Sequence, residues 1–416
     1  MSTANANSQP MLRALSVEGD VTSLPAGTSI PLATTFTARL TSTLQEIEAV
    51  WRGLTADLVE SPGQSYDFIR LWIADRKIAP EDRCFVIGEV DGQPVAILPL
   101  HRQRRFGVTV YTWFPSSQVG CYAPVSDYRR LSLLGPEGRA RLWQAMVAQL
   151  KDADAIYLRA IPQDVSGFGG LFDELGSPLA VETLYRAEFS SWEACDSTQR
   201  SRSRRKHDRQ QGDRLAALGE IGFEQVTDPV AGRVAIDVMF RQRSARFRAQ
   251  GIRDTFVCDN LIGFYHRAMQ SDSGVDVRLH VLRLNGEIVA VRYNIVHGTR
   301  MFCLISSMSD DPAIQVGSPG KQCLLRVMQT VFDSGFSMFD MGSGFTDEKR
   351  HWCNVQIPVR QHYIGLTLKG RLSVGVHQQF QKLRAQAKAS PRVKNALRHV
   401  RQWTDRLSGR APAKSD

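Results

Sequence analysis

No two of the seven cysteines in this 416-residue chain form a Cys-x-x-Cys pair. The odd, scattered set (Cys84, Cys121, Cys195, Cys258, Cys303, Cys323, Cys353) argues against both a disulfide framework and a structural zinc site. Reduced thiols and no metal are the expectation. No run of about 18 apolar residues occurs, and the N-terminus lacks a charged n-region followed by an apolar h-region, so neither a transmembrane helix nor a secretory signal is expected. A cytoplasmic protein follows as the working assumption. The hydrophobic fraction of 43% and charged fraction of 23% are ordinary for a globular chain. The length exceeds what one hydrophobic core usually serves, which predicts two domains.

The net charge of +10 is unevenly placed. Between Lys369 and Lys414 stand 12 Lys or Arg against a single acid, Asp405, so this segment alone accounts for the excess. A basic helical tail over 369–416 is expected, either solvated or meeting nucleic acid, an anionic membrane surface or an acidic partner. At the other end, residues 1–35 are rich in Ser, Thr, Ala, Asn and Pro and read as a flexible leader.

Order is predicted to begin at Phe36. Cys84 to Val90, an Asp91-Gly92 turn and Pro94 to Leu100 make a hairpin, because both central residues of a type I′ turn need positive φ. The figure returns as Leu279 to Leu284, Asn285-Gly286, and Ile288 to Val296, which suggests two copies of one fold. Between them, seven basic residues against two acids from Arg200 to Arg214 mark a positively charged linker helix, either solvated or able to clamp phosphates.

The stretch from Gly317 to Trp352 carries the densest chemistry. Gly317-Ser318-Pro319-Gly320-Lys321 opens an amphipathic helix, where unpaired N–H groups and the helix dipole favour an anion. Pro319 has no N–H, which leaves Gly317, Ser318, Gly320 and Lys321 as donors. The next strand ends in Phe339-Asp340-Met341-Gly342-Ser343-Gly344, and Asp347-Glu348-Lys349-Arg350-His351-Trp352 follows. A helix joining two strands this way favours parallel neighbours and a ligand site beyond their ends.

Together, Ser318-Pro319-Gly320, Asp340-x-Gly342-x-Gly344 and Lys349-x-x-Trp352 resemble the Gcn5-related acetyltransferase (GNAT) superfamily. The likeness is to its two-copy bacterial branch of cellulose-biosynthesis type, a distant relative of the Fem peptidyltransferases. It covers Phe36 to Leu368. Two departures stand out: Glu348 replaces an aromatic common before the lysine, and Gln315-Val-Gly317-Ser-Pro-Gly320 only approximates the superfamily's phosphate loop. The resemblance implies an α+β fold of tandem GNAT-like domains, with mixed central sheets flanked by helices. These domains would span 36–195 and 214–368, joined by the basic linker helix 196–213.

It further implies acyl transfer from acetyl-CoA or another acyl-CoA to an amine or hydroxyl of a small-molecule, sugar or polysaccharide-precursor acceptor in the cleft between copies. The second copy would hold the acyl-CoA. Fem-like transfer from charged tRNA and a non-catalytic scaffold in polysaccharide assembly are the rivals. Asp340 reads either as a base or as a structural carboxylate bonded to the Gly342–Gly344 turn. Lys349 would stabilise an oxyanion or anchor the acceptor. Tyr363 would protonate the departing thiolate. Glu348 and His351 are further candidates for the base and, with Trp352, for acceptor contact, although Trp352 is more often a core residue.

Overall fold

The protein is described by a computed structural model for residues 34–115, 119–251 and 254–389. The expected leader falls almost wholly outside these residues, and the expected tail is described as far as 389.

Among the described residues, each half of the chain supplies six principal strands to the main sheet. The first set is β1 (Phe36–Thr41), β2 (Arg83–Val90), β3 (Gln93–Arg105), β4 (Val108–Trp113), β5 (Ala155–Pro162) and β6 (Ser177–Glu188). The second is β7 (Ile221–Val226), β8 (Asp276–Leu284), β9 (Glu287–His297), β10 (Arg300–Met308), β11 (Met338–Ser343) and β12 (Val355–Gly365). The predicted hairpin turns are present, with φ of 51° and 74° at Asp91 and Gly92, and 51° and 82° at Asn285 and Gly286. These left-handed values are what a two-residue turn between twisted strands demands.

All twelve strands join one sheet in the order β1-β2-β3-β4-β5-β12-β6-β11-β10-β9-β8-β7, with Val125–Ser126 pairing on β3 as a thirteenth. Read from either edge, the order is the same figure, with each half supplying one strand to the other. β12 lies between β5 and β6, and β6 pairs with β11 through Phe339↔Ala187 and Asp340↔Arg186. The pair of sheets expected from the sequence is thus fused edge to edge, and one core cluster takes residues from Leu44 to Ile305.

Only two neighbouring pairs are parallel, β4 with β5 and β10 with β11. Each is short. β10 and β11 pair at Arg300↔Met338, Met301↔Phe339 and Phe302↔Asp340, after which β10 runs on to Met308 while β11 stays paired with β6 alone. The strands therefore fork just beyond Asp340.

The helices that matter for the site are α1 (Arg202–Ala216), α2 (Pro319–Asp333), α3 (Asp347–Trp352) and α4 (Leu368–Ala389). The basic linker is α1, capped by Ser201 Oγ accepting from Arg204 N at 3.2 Å. Its Asp208, Gln211 and Leu215 face inward. Among the described residues no helix is long and apolar enough to cross a membrane.

Candidate functional site

Asp340 ends the part of β11 that pairs with β10, and the fork opens next to it. Its carboxylate is buried and has a partner on each oxygen: Arg186 Nε donates to Oδ2 at 2.8 Å and Gly342 N to Oδ1 at 2.6 Å. Lys349, in the first turn of α3, points back to the same strand end and donates from Nζ to Gly342 O at 3.2 Å and Ser343 O at 2.6 Å. Burial pushes the Lys349 ammonium below its ordinary pKa, opposed by the negative charge of Asp340. The strand and the glycine turn thus bring Asp340 and Lys349 to one place. Gly120, from the first half, closes over them: a Cβ there would lie 3.2 Å from the Gly342 Cα.

Beneath this strand end runs a charge network that spans both halves. Arg186 reaches Glu60 Oε2 at 2.7 Å as well as Asp340, and Arg300 reaches Glu60 Oε1 at 3.0 Å. Glu60 is completely buried, on the loop after Val59. Burial pushes its carboxyl pKa up, but Arg186 and Arg300 together outweigh that and hold it below the usual range. A cleft of about 640 Å³ meets the network, lined by Arg186, Arg300, Glu188, Asp164 and Val355 to Pro358. Two cations and two carboxylates facing a polar cleft suit a hydrophilic guest better than a greasy one.

At the start of α2, Ser318 takes a left-handed conformation with φ 50°, and Pro319 begins the helix. Three of the four expected donors are engaged within the turn: Gly317 N with Ile314 O, Ser318 N with Gln315 O, and Lys321 N with Ser318 O. Gly320 N is left, since the second residue of a helix has no carbonyl four residues back within it. Gly317 is buried against α1, where a Cβ would come within 2.6 Å of the Leu215 Cβ. The glycine is therefore explained by the close approach of the basic helix, which the Gln322 Nε2 to Asp208 O bond of 2.8 Å fastens to α2.

Arg204 and Arg205 pair with Asp208 and Asp196, while Arg202, Lys206 and Arg209 stay exposed along α1. Arg292, fully enclosed on β9, bridges the helix start to α3: it donates to Gly320 O at 3.3 Å and approaches Glu348 at 3.6 Å. Burial alone would lower the Arg292 pKa, but Glu348 together with the neighbouring Cys303 and Cys323 outweighs it and favours the charged form.

The remaining sequence candidates scatter. Tyr363 lies eight residues along β12 from Val355, the partner of Arg186, which is roughly 26 Å at strand rise. It belongs to a separate cavity of about 320 Å³ with Tyr157 and His377, donates to Gln361, and has its phenol pKa raised by burial. Tyr363 thus does not reach the fork. Trp352 is core, stacked on Trp192 at 6.1 Å between centroids. His351 folds onto its own helix through Asp347 O. Cys353 is buried with its thiol pKa raised by desolvation, which keeps it protonated.

Sequence reasoning missed Glu60, Arg186, Arg292 and Arg300. A lone arginine inside an apolar strand, as in Leu184-Tyr185-Arg186-Ala187 or Val289-Ala-Val-Arg292-Tyr-Asn-Ile-Val296, was the signal available for two of them, because such a charge must be paired.

A family model described as an acetyltransferase (GNAT) domain matches residues 202–350, the stretch that holds α1, Arg292, the fork and Lys349. No curated protein matches the chain. Among solved structures it is similar to FemX, with 12% identity over 78% of this chain and 96% of that one and a TM-score of 0.50. It is also similar to a C-terminal domain assigned to a lysylphosphatidylglycerol synthetase of Agrobacterium fabrum, with 14% identity, coverage of 80% and 95%, and TM-score 0.49. A tandem GNAT protein from the clavulanic acid biosynthesis pathway matches with 12% identity, coverage of 80% and 99%, and TM-score 0.42. At such identities the likeness to FemX concerns the fold alone. Residues 202–350 thus match a GNAT acetyltransferase domain, and the chain shares its fold with FemX.

Proposed function

We propose that the chain moves an acyl group, acetyl in the simplest case, from an acyl-CoA to an amine or hydroxyl of a small-molecule, sugar or polysaccharide-precursor acceptor. The observation that carries this reading is the fork between β10 and β11, beside the start of a 15-residue helix within the matched domain. The acyl-CoA would lie in the fork, with its phosphates toward Gly320 N, Lys321 and the exposed cations of α1. The acceptor would enter through the polar cleft at Arg186 and Arg300.

In the transfer, the acceptor's lone pair forms the bond to the acyl carbon, the C–S bond breaks, and CoA leaves. The acceptor's proton needs a base. Asp340 is poorly suited, since both of its oxygens already accept hydrogen bonds. Glu348 is better placed: it is half-buried, its one ion pair is loose at 3.6 Å, and Arg292 ties it to the helix start. Lys349 spends two N–H groups on carbonyls, and the third is free to meet developing negative charge.

Calorimetry with acetyl-CoA tests the seat. Gly320→Asp places a negative charge at the second helical position, which is favourable for the helix itself but hostile to phosphate. CoA affinity should fall more than tenfold while the melting temperature holds. Unchanged affinity in a folded variant would refute the assignment. The exposed cations of α1 also suit a charged-tRNA donor, and steep weakening of donor binding with salt would favour that reading.

A further inference from the structure

The described part of the C-terminal helix α4 presents two unlike faces. Its inner face is fixed to the sheet. Gly370 packs so closely that a Cβ would lie 1.8 Å from Asp154 O, Lys369 Nζ bonds Asp154 Oδ2 at 2.9 Å, and His377 Nδ1 meets the Tyr363 hydroxyl at 3.0 Å. Its outer face carries Leu372, Val376, Phe380 and Leu383, exposed by 72%, 64%, 57% and 64%. Spacings of four, four and three residues put them in one stripe. Because the inner face is pinned, the helix cannot roll to bury them.

Cations flank the stripe. Arg371 and Lys382 lie on one side and Arg384 on the other, by helical angle, and no acid occurs between Lys369 and Ala389. A further exposed apolar side chain stands near the helix. Lys369 Nζ also donates to Gly107 O at 3.0 Å, so the tip of the β3–β4 hairpin stands beside the first turn of α4. That tip reads Arg104-Arg105-Phe106-Gly107, and Phe106 is fully exposed.

We propose that the outer face of α4 and the Phe106 tip dock together on an anionic lipid surface. Apolar side chains would enter the headgroup boundary while the arginines and lysines reach phosphates from their flanks, the arrangement that interfacial amphipathic helices use. Charge decides among occupants. A second copy would bring equal positive flanks together, and residues 390–416 carry seven Lys or Arg against two Asp, so they too are repelled. Nucleic acid would take the cations but offers nothing to four aliphatic or aromatic side chains in a row.

The test is sedimentation of the full chain with vesicles of phosphatidylcholine alone or mixed with phosphatidylglycerol. Binding is expected only to the mixed vesicles, weakening with salt. Each removed cation, as in Arg371→Gln or Lys382→Gln, should lower partitioning about fivefold. The triple variant Leu372→Ser, Val376→Ser, Phe380→Ser should lose binding at least tenfold with unchanged melting and CoA affinity, since those groups are exposed in the free protein. Phe106→Ser provides an independent second arm. Equal binding to neutral vesicles, no binding, or wild-type binding by both the triple and Phe106 variants would overturn the proposal. So would concentration-dependent dimerisation abolished by the same substitutions, or nucleic-acid binding without lipid binding.

Discussion

Removing either Arg186 or Glu60 should damage the protein severely, yet removing both should damage it little more. Their side chains are 2% and 0% exposed and meet at 2.7 Å, so neither charge is screened by water. Around them the network balances two cations, Arg186 and Arg300, with two carboxylates, Glu60 and Asp340. Arg186→Met leaves one uncompensated negative charge, and Glu60→Gln leaves one positive. Breaking a buried pair from one side costs about 3–5 kcal/mol. If these were independent packing defects, the double variant would lose roughly 6–10 kcal/mol, comparable to the whole stability of a domain. The double variant instead leaves one cation, Arg300, and one carboxylate, Asp340, so the network is neutral again and its loss should stay near that of one single variant, a coupling of about 3 kcal/mol. Urea unfolding followed in parallel by tryptophan fluorescence and circular dichroism measures the cycle. A coupling below about 0.5 kcal/mol would show that charge balance is not what holds Glu60 and Arg186 together.

Glu348→Gln should lower turnover about 100-fold while CoA affinity barely changes, whereas Asp340→Asn should cost about 3–5 kcal/mol of stability by breaking its buried pair with Arg186; normal turnover in Glu348→Gln would exclude it as the base. His280 and His362, fully buried, have pKa values lowered to about 4 by desolvation. The unfolded chain binds their protons near 6.5, so stability should fall as pH drops from 6.5 toward 4, by about 3 kcal/mol per histidine. Melting curves of His280→Gln and His362→Gln should show shallower slopes across that window, and an unchanged slope in both would disprove the linkage. Gly317→Ala must move the Leu215 backbone, 2.9 Å from the new Cβ, and should cost about 1–3 kcal/mol. Gly320→Ala meets only the flexible Met308 Sδ, so it should melt nearer the wild type; the reverse order would refute the packing account.

The parts of this fold that the sequence disclosed are local ones. Asp91-Gly92 and Asn285-Gly286 named their turns because only a few residues tolerate positive φ. Ser318-Pro319-Gly320 marked a helix start, and the glycines after Asp340 let Lys349 fold back on it within a few residues. The exchange of β6 and β12 was invisible, because which edge a buried apolar strand pairs with depends on partners far along the chain. For the same reason Glu60 could not be assigned: Arg186, its partner, is 126 residues away. Tyr363 was misplaced toward the fork since sequence order puts it soon after Lys349, while β12 carries it the length of the sheet. Gly317 was read as an N–H donor to a phosphate, whereas its N–H is spent on Ile314 O and its glycine is required by the approach of Leu215.

The interleaved strand order also dictates how the chain can be made. Strand β6 leaves the ribosome well before β11 and β12, the two neighbours between which it belongs, and the far edge of β5 likewise waits for β12. Throughout the synthesis of the second half, therefore, the first half carries three strand edges, both of β6 and the far one of β5, whose native partners have not yet been made. Closing them joins residues far apart in the chain, which makes the final step slow and open to mispairing. The first half should consequently behave as a client of chaperones, becoming autonomous only when Val355–Gly365 arrives.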